Sequence, residues 1–190
     1  MPAPPQHSEK RISVFLSYPT PCAMRQRRFI AQVLVYLERC GFVPRTLGVT
    51  DFDVDMPLDA VRRLIAQSSG LVAVAFRRTF LADATAYHDT DVAGLSPFPL
   101  KDAWFTSPWT HIEVAMAYQL DLPIMVLCEA GVVRDGVLEE SAAGTYMPVF
   151  DVHEPVDGYF ADPKWNDSAV RWEEAVRAAA KRSSADRAGA

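Results

Sequence analysis

Cysteine is scarce in this chain: Cys22, Cys40 and Cys128 are three in number, widely spaced and without a C-x-x-C pair. That set excludes a disulfide framework and a cysteine zinc site, and predicts reduced, mostly buried thiols. The four histidines, at 7, 88, 111 and 153, contain no pair at metal-ligand spacing, so no metal is expected. No apolar run approaches the roughly 18 residues of a membrane span. The opening MPAPPQHSEKR has no apolar centre of the kind a secretory signal needs. These absences predict a soluble, cytoplasmic protein with no membrane partner. There is no G-x-x-x-x-G-K-[ST], no G-x-G-x-x-G after the first strand and no G-x-S-x-G. P-loop hydrolysis, ordinary hydride transfer and serine hydrolysis all lose ground. An excess of positive charge is missing too, since 19 basic against 24 acidic side chains leave −5. Duplex nucleic acid, whose affinity rests on phosphate neutralisation, is a poor partner for such a chain.

What is present has the make-up of one globular domain. At roughly 100–200 residues per domain, 190 residues with 49% apolar side chains fit a single core. Residues 1–10, rich in proline, read as a flexible leader and 182–190 as a frayed tail, with the domain at 11–181. RISVFLSY (11–18) reads as a buried strand ended by Pro19 and Pro21. A helix follows over 24–39, with Phe29, Ile30, Val33, Leu34 and Leu37 in one apolar stripe and Gly41 to stop it. FVPRTLGV (42–49) reads as an edge strand because of Pro44. A helix over 57–67 turns Val61, Leu64 and Ile65 inward, with Gly70 closing it. LVAVAF (71–76) and PIMVLCE (123–129) lack polar alternation, as central parallel strands do. MPVFDV (147–152) reads as a fifth strand, and a last helix over 168–181 turns Ala169, Trp172 and Val176 inward. Residues 77–106 show no clear period, and so long a connection is expected to be functional or mobile. The alternation predicts an α/β fold: a three-layer, flavodoxin-like five-stranded parallel sheet of order 2-1-3-4-5 with helices on both faces.

In such a sheet ligands bind beyond the carboxyl ends of the strands, between the first and third. Ser17, Tyr18, Arg77 and Arg78 follow those strands, and the helix start at Ser107-Pro108 brings in Trp109 to Glu113. Glu113 is the candidate catalytic residue, because Ile112, Val114, Ala115 and Met116 surround it with low-dielectric side chains. A carboxylate held there is placed to stabilise positive charge on a reacting sugar, or to attack its anomeric carbon. The other reading is a first-turn acid that complements the helix dipole. Asp51, Asp53 and Asp55 form a D-x-D-x-D that opens like a calcium loop. Met56 replaces the required glycine and Arg62 the closing glutamate, which excludes calcium. Arg25 and Arg28 stand in the first turns of a helix, where the dipole disfavours cations. They are candidate phosphate-binding residues beside the reading of a solvated basic face.

These residues carry a family resemblance. The strand SVFLSY resembles the first box of Toll/interleukin-1 receptor (TIR) domains. Ser107-Pro-Trp109-Thr-His-Ile-Glu113, followed by LPIMVL, resembles the family's third helix and fourth strand, where a tryptophan four residues before a glutamate marks enzymes that cleave NAD. The order of elements is similar from about 11 to 181, and the chain resembles the bacterial type. Ser13 stands where the first-box aspartate is common, and Thr110 replaces a frequent cysteine. The resemblance implies cleavage of the nicotinamide N-glycosidic bond by Glu113, giving ADP-ribose or a cyclic product. NAD would be the substrate, with no prosthetic group. Ser17, Tyr18, Phe76, Arg77 and Trp109 would line the substrate site, the aromatics stacking on a base and Arg77 reaching phosphate. It further implies self-association through the TDFDVDMPL loop, a place in antiphage defence, and a separate sensor or effector protein. The same segment also resembles nucleoside 2-deoxyribosyltransferases, which use a glutamate at a helix start to form a glycosyl-enzyme. A third reading is a non-catalytic interaction or nucleotide-sensing module in which Glu113 only caps its helix.

Overall fold

The computed structural model describes residues 11–52 and 56–188, with side chains through 185. The leader expected over 1–10, together with Asp53 and Asp55, lies outside the described residues. Five parallel strands form the sheet: β1 (Ile12–Ser17), β2 (Phe42–Arg45), β3 (Leu71–Ala75), β6 (Ile124–Cys128) and β7 (Thr145–Tyr146). They lie in the order β2-β1-β3-β6-β7. Counted among parallel strands alone this is 2-1-3-4-5, and β2, with Pro44 opposite Val14, is an edge.

Side chains alternate along each strand, so each feeds two cores. Val14, Leu16, Val72, Val74, Met125 and Leu127 face one side. There α1 (Met24–Arg39) contributes Phe29, Ile30, Val33 and Leu37, and α5 (Pro163–Ala188) contributes Trp165, Ala169, Trp172 and Val176. Phe15, Leu71, Ala73, Ala75, Ile124 and Val126 face the other side. That face is covered by Val61, Leu64 and Ile65 of α2 (Pro57–Ala66) and by Val114 and Ala117 of α3 (Pro108–Gln119). A short helix, α4 (Val156–Phe160), packs against α1 and α5. Among the described residues no helix is long and apolar enough to cross a membrane.

Four local expectations change. The segment 77–106 is a β-hairpin: β4 (Thr79–Ala86) pairs antiparallel with β5 (Phe98–Phe105), from Thr79↔Phe105 to Ala86↔Phe98. Most of its side chains are exposed on both faces, so no hydrophobic period marks it. The fifth strand falls at 145–146 and not 147–152, where Met147, Phe150 and Val152 enter the core without a continuous ladder. The last helix is longer than 168–181 and takes in most of the segment that reads as a tail. Gly70 does not cap α2, which ends at Ala66 with Gln67 as its C-cap. A Cβ on Gly70 would meet Val176 Cγ2 at 2.6 Å, so it is glycine because α5 crosses there.

Candidate functional site

The point between β1 and β3, where the order of the parallel strands reverses, sets the site. Ser17 is the last residue of β1 and only 2% exposed, and among the described residues its Oγ has no hydrogen-bond partner of ordinary geometry. Tyr18 beyond it is partly buried, which pushes its phenol up from the usual value. Across the crevice the chain enters α3 through Ser107, whose Oγ accepts from Trp109 N at 3.3 Å and from Arg78 Nη1 at 2.8 Å. Pro108 supplies the first helical residue, its missing N–H being no loss there. Trp109, 40% exposed, and Glu113 follow one turn apart and share a side of the helix.

Burial pushes the Glu113 carboxyl up to about 7, and the Ser17 hydroxyl, close to it but outside good hydrogen-bond geometry, pulls partly back. Among the described residues no cation contributes to that balance. Glu113 is thus a carboxyl poised to gain or lose its proton near neutrality, with an exposed indole beside it.

The other expected residues divide. Phe76 is 1% exposed and its ring meets Phe29 edge-on at 6.1 Å and Phe150 at 5.8 Å, so it belongs to the core and offers no face to a ligand. The Arg77 guanidinium is committed elsewhere. It donates to Ala130 O, lies 4.0 Å from the Glu129 carboxylate and rests 5.8 Å from the Trp104 ring centre. Arg25 and Arg28 are exposed on α1, and Arg25 Nη1 sits 2.6 Å from His153 Nδ1. Arg78, not Arg77, is the cation tied to the start of α3.

Glu129, at the carboxyl end of β6, escaped sequence reasoning. It is 3% exposed, and its Oε2 accepts from Gln26 Nε2 at 2.9 Å and from Arg77 N at 2.8 Å. It locks the start of α1, the end of β3 and the end of β6 together behind the crevice. The available signal was an acid directly after an apolar strand. Asp51 bonds Arg45 at 2.5 Å, which holds its carboxyl below the usual range. Among the described residues no group of three or more His, Cys, Asp or Glu is placed to hold a metal ion.

No family model matches this chain, and no curated protein does. The CMP N-glycosidase BcmB of Clostridium botulinum is 15% identical, with a TM-score of 0.44 over 77% of this chain and 96% of that one. The TIR domains of the activated Roq1 resistosome, which directly recognises the pathogen effector XopQ, are 14% identical. Their TM-score is 0.42 over 90% of this chain and 84% of that one. At these values neither structure assigns a residue of the site, and the fold class stands on the strand order and the two cores described above.

Proposed function

We propose that the chain cleaves an N-glycosidic bond, that of NAD between nicotinamide and ribose, with Glu113 as the catalytic residue. The observation that carries this reading is the state of Glu113, a carboxyl lifted to about 7 by burial at the carboxyl end of the sheet, with no cation among the described residues to offset its charge. The nicotinamide ring is cationic before cleavage, and positive charge passes to the ribose C1 as the bond breaks. A desolvated carboxylate favours both, and gains most where the charge develops. The C1–N bond breaks with its electron pair going to the ring nitrogen, which neutralises the leaving group. Water then adds to C1 and gives up a proton, leaving ADP-ribose; attack by the adenine ring instead gives a cyclic product.

Trp109 is exposed on the same side of α3 and supports stacking on a ring, with Ser17 and Tyr18 at the opposite wall. Arg78, held by Ser107, replaces Arg77 as the phosphate contact in this reading. Assembly of copies through the loop of the exposed Phe52, triggering by a separate protein and a role in antiphage defence belong to the same proposal.

The test follows nicotinamide by chromatography when concentrated protein, with and without a crowding agent, is incubated with NAD. Native protein is expected to release nicotinamide, faster as pH rises through about 7. Glu113→Gln should lose at least about a hundredfold, the scale of one electrostatic group in a closed site. Release that survives the substitution overturns the assignment. Silence on NAD with turnover of deoxynucleosides moves the chain to deoxyribosyl transfer, and silence on both leaves the interaction module.

A further inference from the structure

The opposite, amino-terminal end of the sheet carries a second feature that the proposed reaction does not use. A cleft of about 900 Å³ opens there between the start of β1, the end of α1, the start of β2 and α5, with Arg11, Arg39 and Arg177 on its walls. A second hollow of about 500 Å³ shares Arg11, Ile12 and Arg177 with it and adds Lys181 and Ser184. The two form one groove. Four cations line it against one acid, Glu38, in a chain whose overall charge is −5. Arg11, Arg39 and Lys181 are exposed, and among the described residues none of them has a carboxylate within ion-pair distance.

Arg177 is fixed in place. Its Nη2 donates to Cys40 O at 2.8 Å and lies 3.5 Å from Glu173 Oε2, while the guanidinium rests over the Phe42 ring at 4.8 Å. Its remaining guanidinium nitrogens have no hydrogen-bond partner among the described residues. A cation already ordered on an aromatic ring loses little freedom on binding an anion. Ile12, Val43, Pro44 and Ala180 give the same groove an apolar floor. Gathering four cations against so few counter-charges costs repulsion, which a bound polyanion removes and dilute salt relieves only in part.

We infer that this groove binds a soluble nucleotide carrying two or more phosphates, with the phosphates among Arg39, Arg177 and Lys181 and the base on the apolar floor. It is a ligand site separate from Glu113, at the other end of every parallel strand.

Calorimetric titration with ATP, inorganic tripolyphosphate and adenosine tests this on native protein, on Glu113→Gln and on the double variant Arg39→Ala/Lys181→Ala. Both altered residues are exposed and unpaired among the described residues, so the variant should fold; its circular dichroism and melting check that. ATP is expected to bind native and Glu113→Gln protein equally, more tightly than tripolyphosphate and far more tightly than adenosine. The double variant should bind at least about tenfold more weakly, and added salt should weaken native binding. No binding of ATP at millimolar concentration overturns the site. So does ATP binding that ignores the double substitution, or that is lost in Glu113→Gln. ATP that binds no better than tripolyphosphate overturns the nucleotide assignment.

Discussion

Glu113 keeps its proton into the neutral range because the fold takes away the water that would solvate its charge, and that has a consequence for stability. Its pKa is about 7 in the fold against 4.5 as the usual value. Below about 4.5 the group is neutral in both states and costs nothing; as pH rises towards 7 the unfolded chain ionises first and the fold is penalised. The penalty levels off above about 7, at about 2–3 kcal/mol after allowance for the group's partial exposure. Glu113→Gln removes it. The variant should therefore exceed native protein in stability by about 2 kcal/mol at pH 8, with the gap shrinking below about 1 kcal/mol at pH 5. Urea unfolding at the two pH values measures this, and an equal gap at both would mean the carboxyl ionises as in water. The place of Glu113 was legible because a Ser-Pro helix start fixes which residues lie near the crevice. The fates of Phe76 and Arg77 turn on the period-two rule at the end of β3. Val72, Val74 and Phe76 share one side, so Phe76 continues the core stripe while Arg77 turns towards Glu129. Glu129 was invisible because its partners, Gln26 and the Arg77 N–H, are far away in sequence.

At the scale of elements, α1 and α2 were readable because each packs one stripe on one core, so the pattern survives in the sequence. The β7 region was misplaced because the ladder with β6 holds only two residues, Thr145 with Met125 and Tyr146 with Val126, while the more apolar 147–152 packs on the core and touches that edge only through an isolated bridge of Phe150 with Glu129. The contact between α5 and the sheet is set by Gly70. Its carbonyl accepts from Phe15 N at 2.9 Å, and Pro123 O lies 3.2 Å from where a Cβ would stand. Gly70→Ala must push back Val176 or the strand end, an overpacking cost of about 1–3 kcal/mol. At about 2–4 °C per kcal/mol for a chain of this size, the melting midpoint should fall by several degrees. Val176→Ala in the same chain gives the added methyl room, so the double variant should lose less than the sum of the two single changes. Simple additivity would show that α5 does not close on Gly70.

At the scale of the whole molecule, the hairpin β4–β5 stands apart from the two cores. Its strands pair with each other. They join the body through Val133 N to Trp104 O at 2.7 Å and the Arg77 guanidinium over Trp104, while Arg78 N to Phe105 O at 3.0 Å closes their own foot. These ties lie at its base, whereas Tyr87, Val92, Leu95 and Phe98 near its tip are exposed. Two strands alone bury too little to be stable in water, so the base contacts hold the hairpin and not the reverse. Replacing residues 84–100 by an Asn-Gly turn keeps Thr79 to Asp83 paired with Lys101 to Phe105 and removes only the distal half. Losing a segment that supports neither core should move the melting midpoint by no more than about 2 °C, the scale of a surface change. A larger fall, or loss of a single cooperative transition, would show that the tip packs on the domain. With stability kept, the shortened chain separates two roles for a connection this long. If nicotinamide release from NAD falls while ATP titration of the amino-terminal groove is unchanged, the hairpin serves the crevice that its base adjoins through Arg78 and Ser107. If both stay as in native protein, the hairpin's exposed apolar tip has no part in either site.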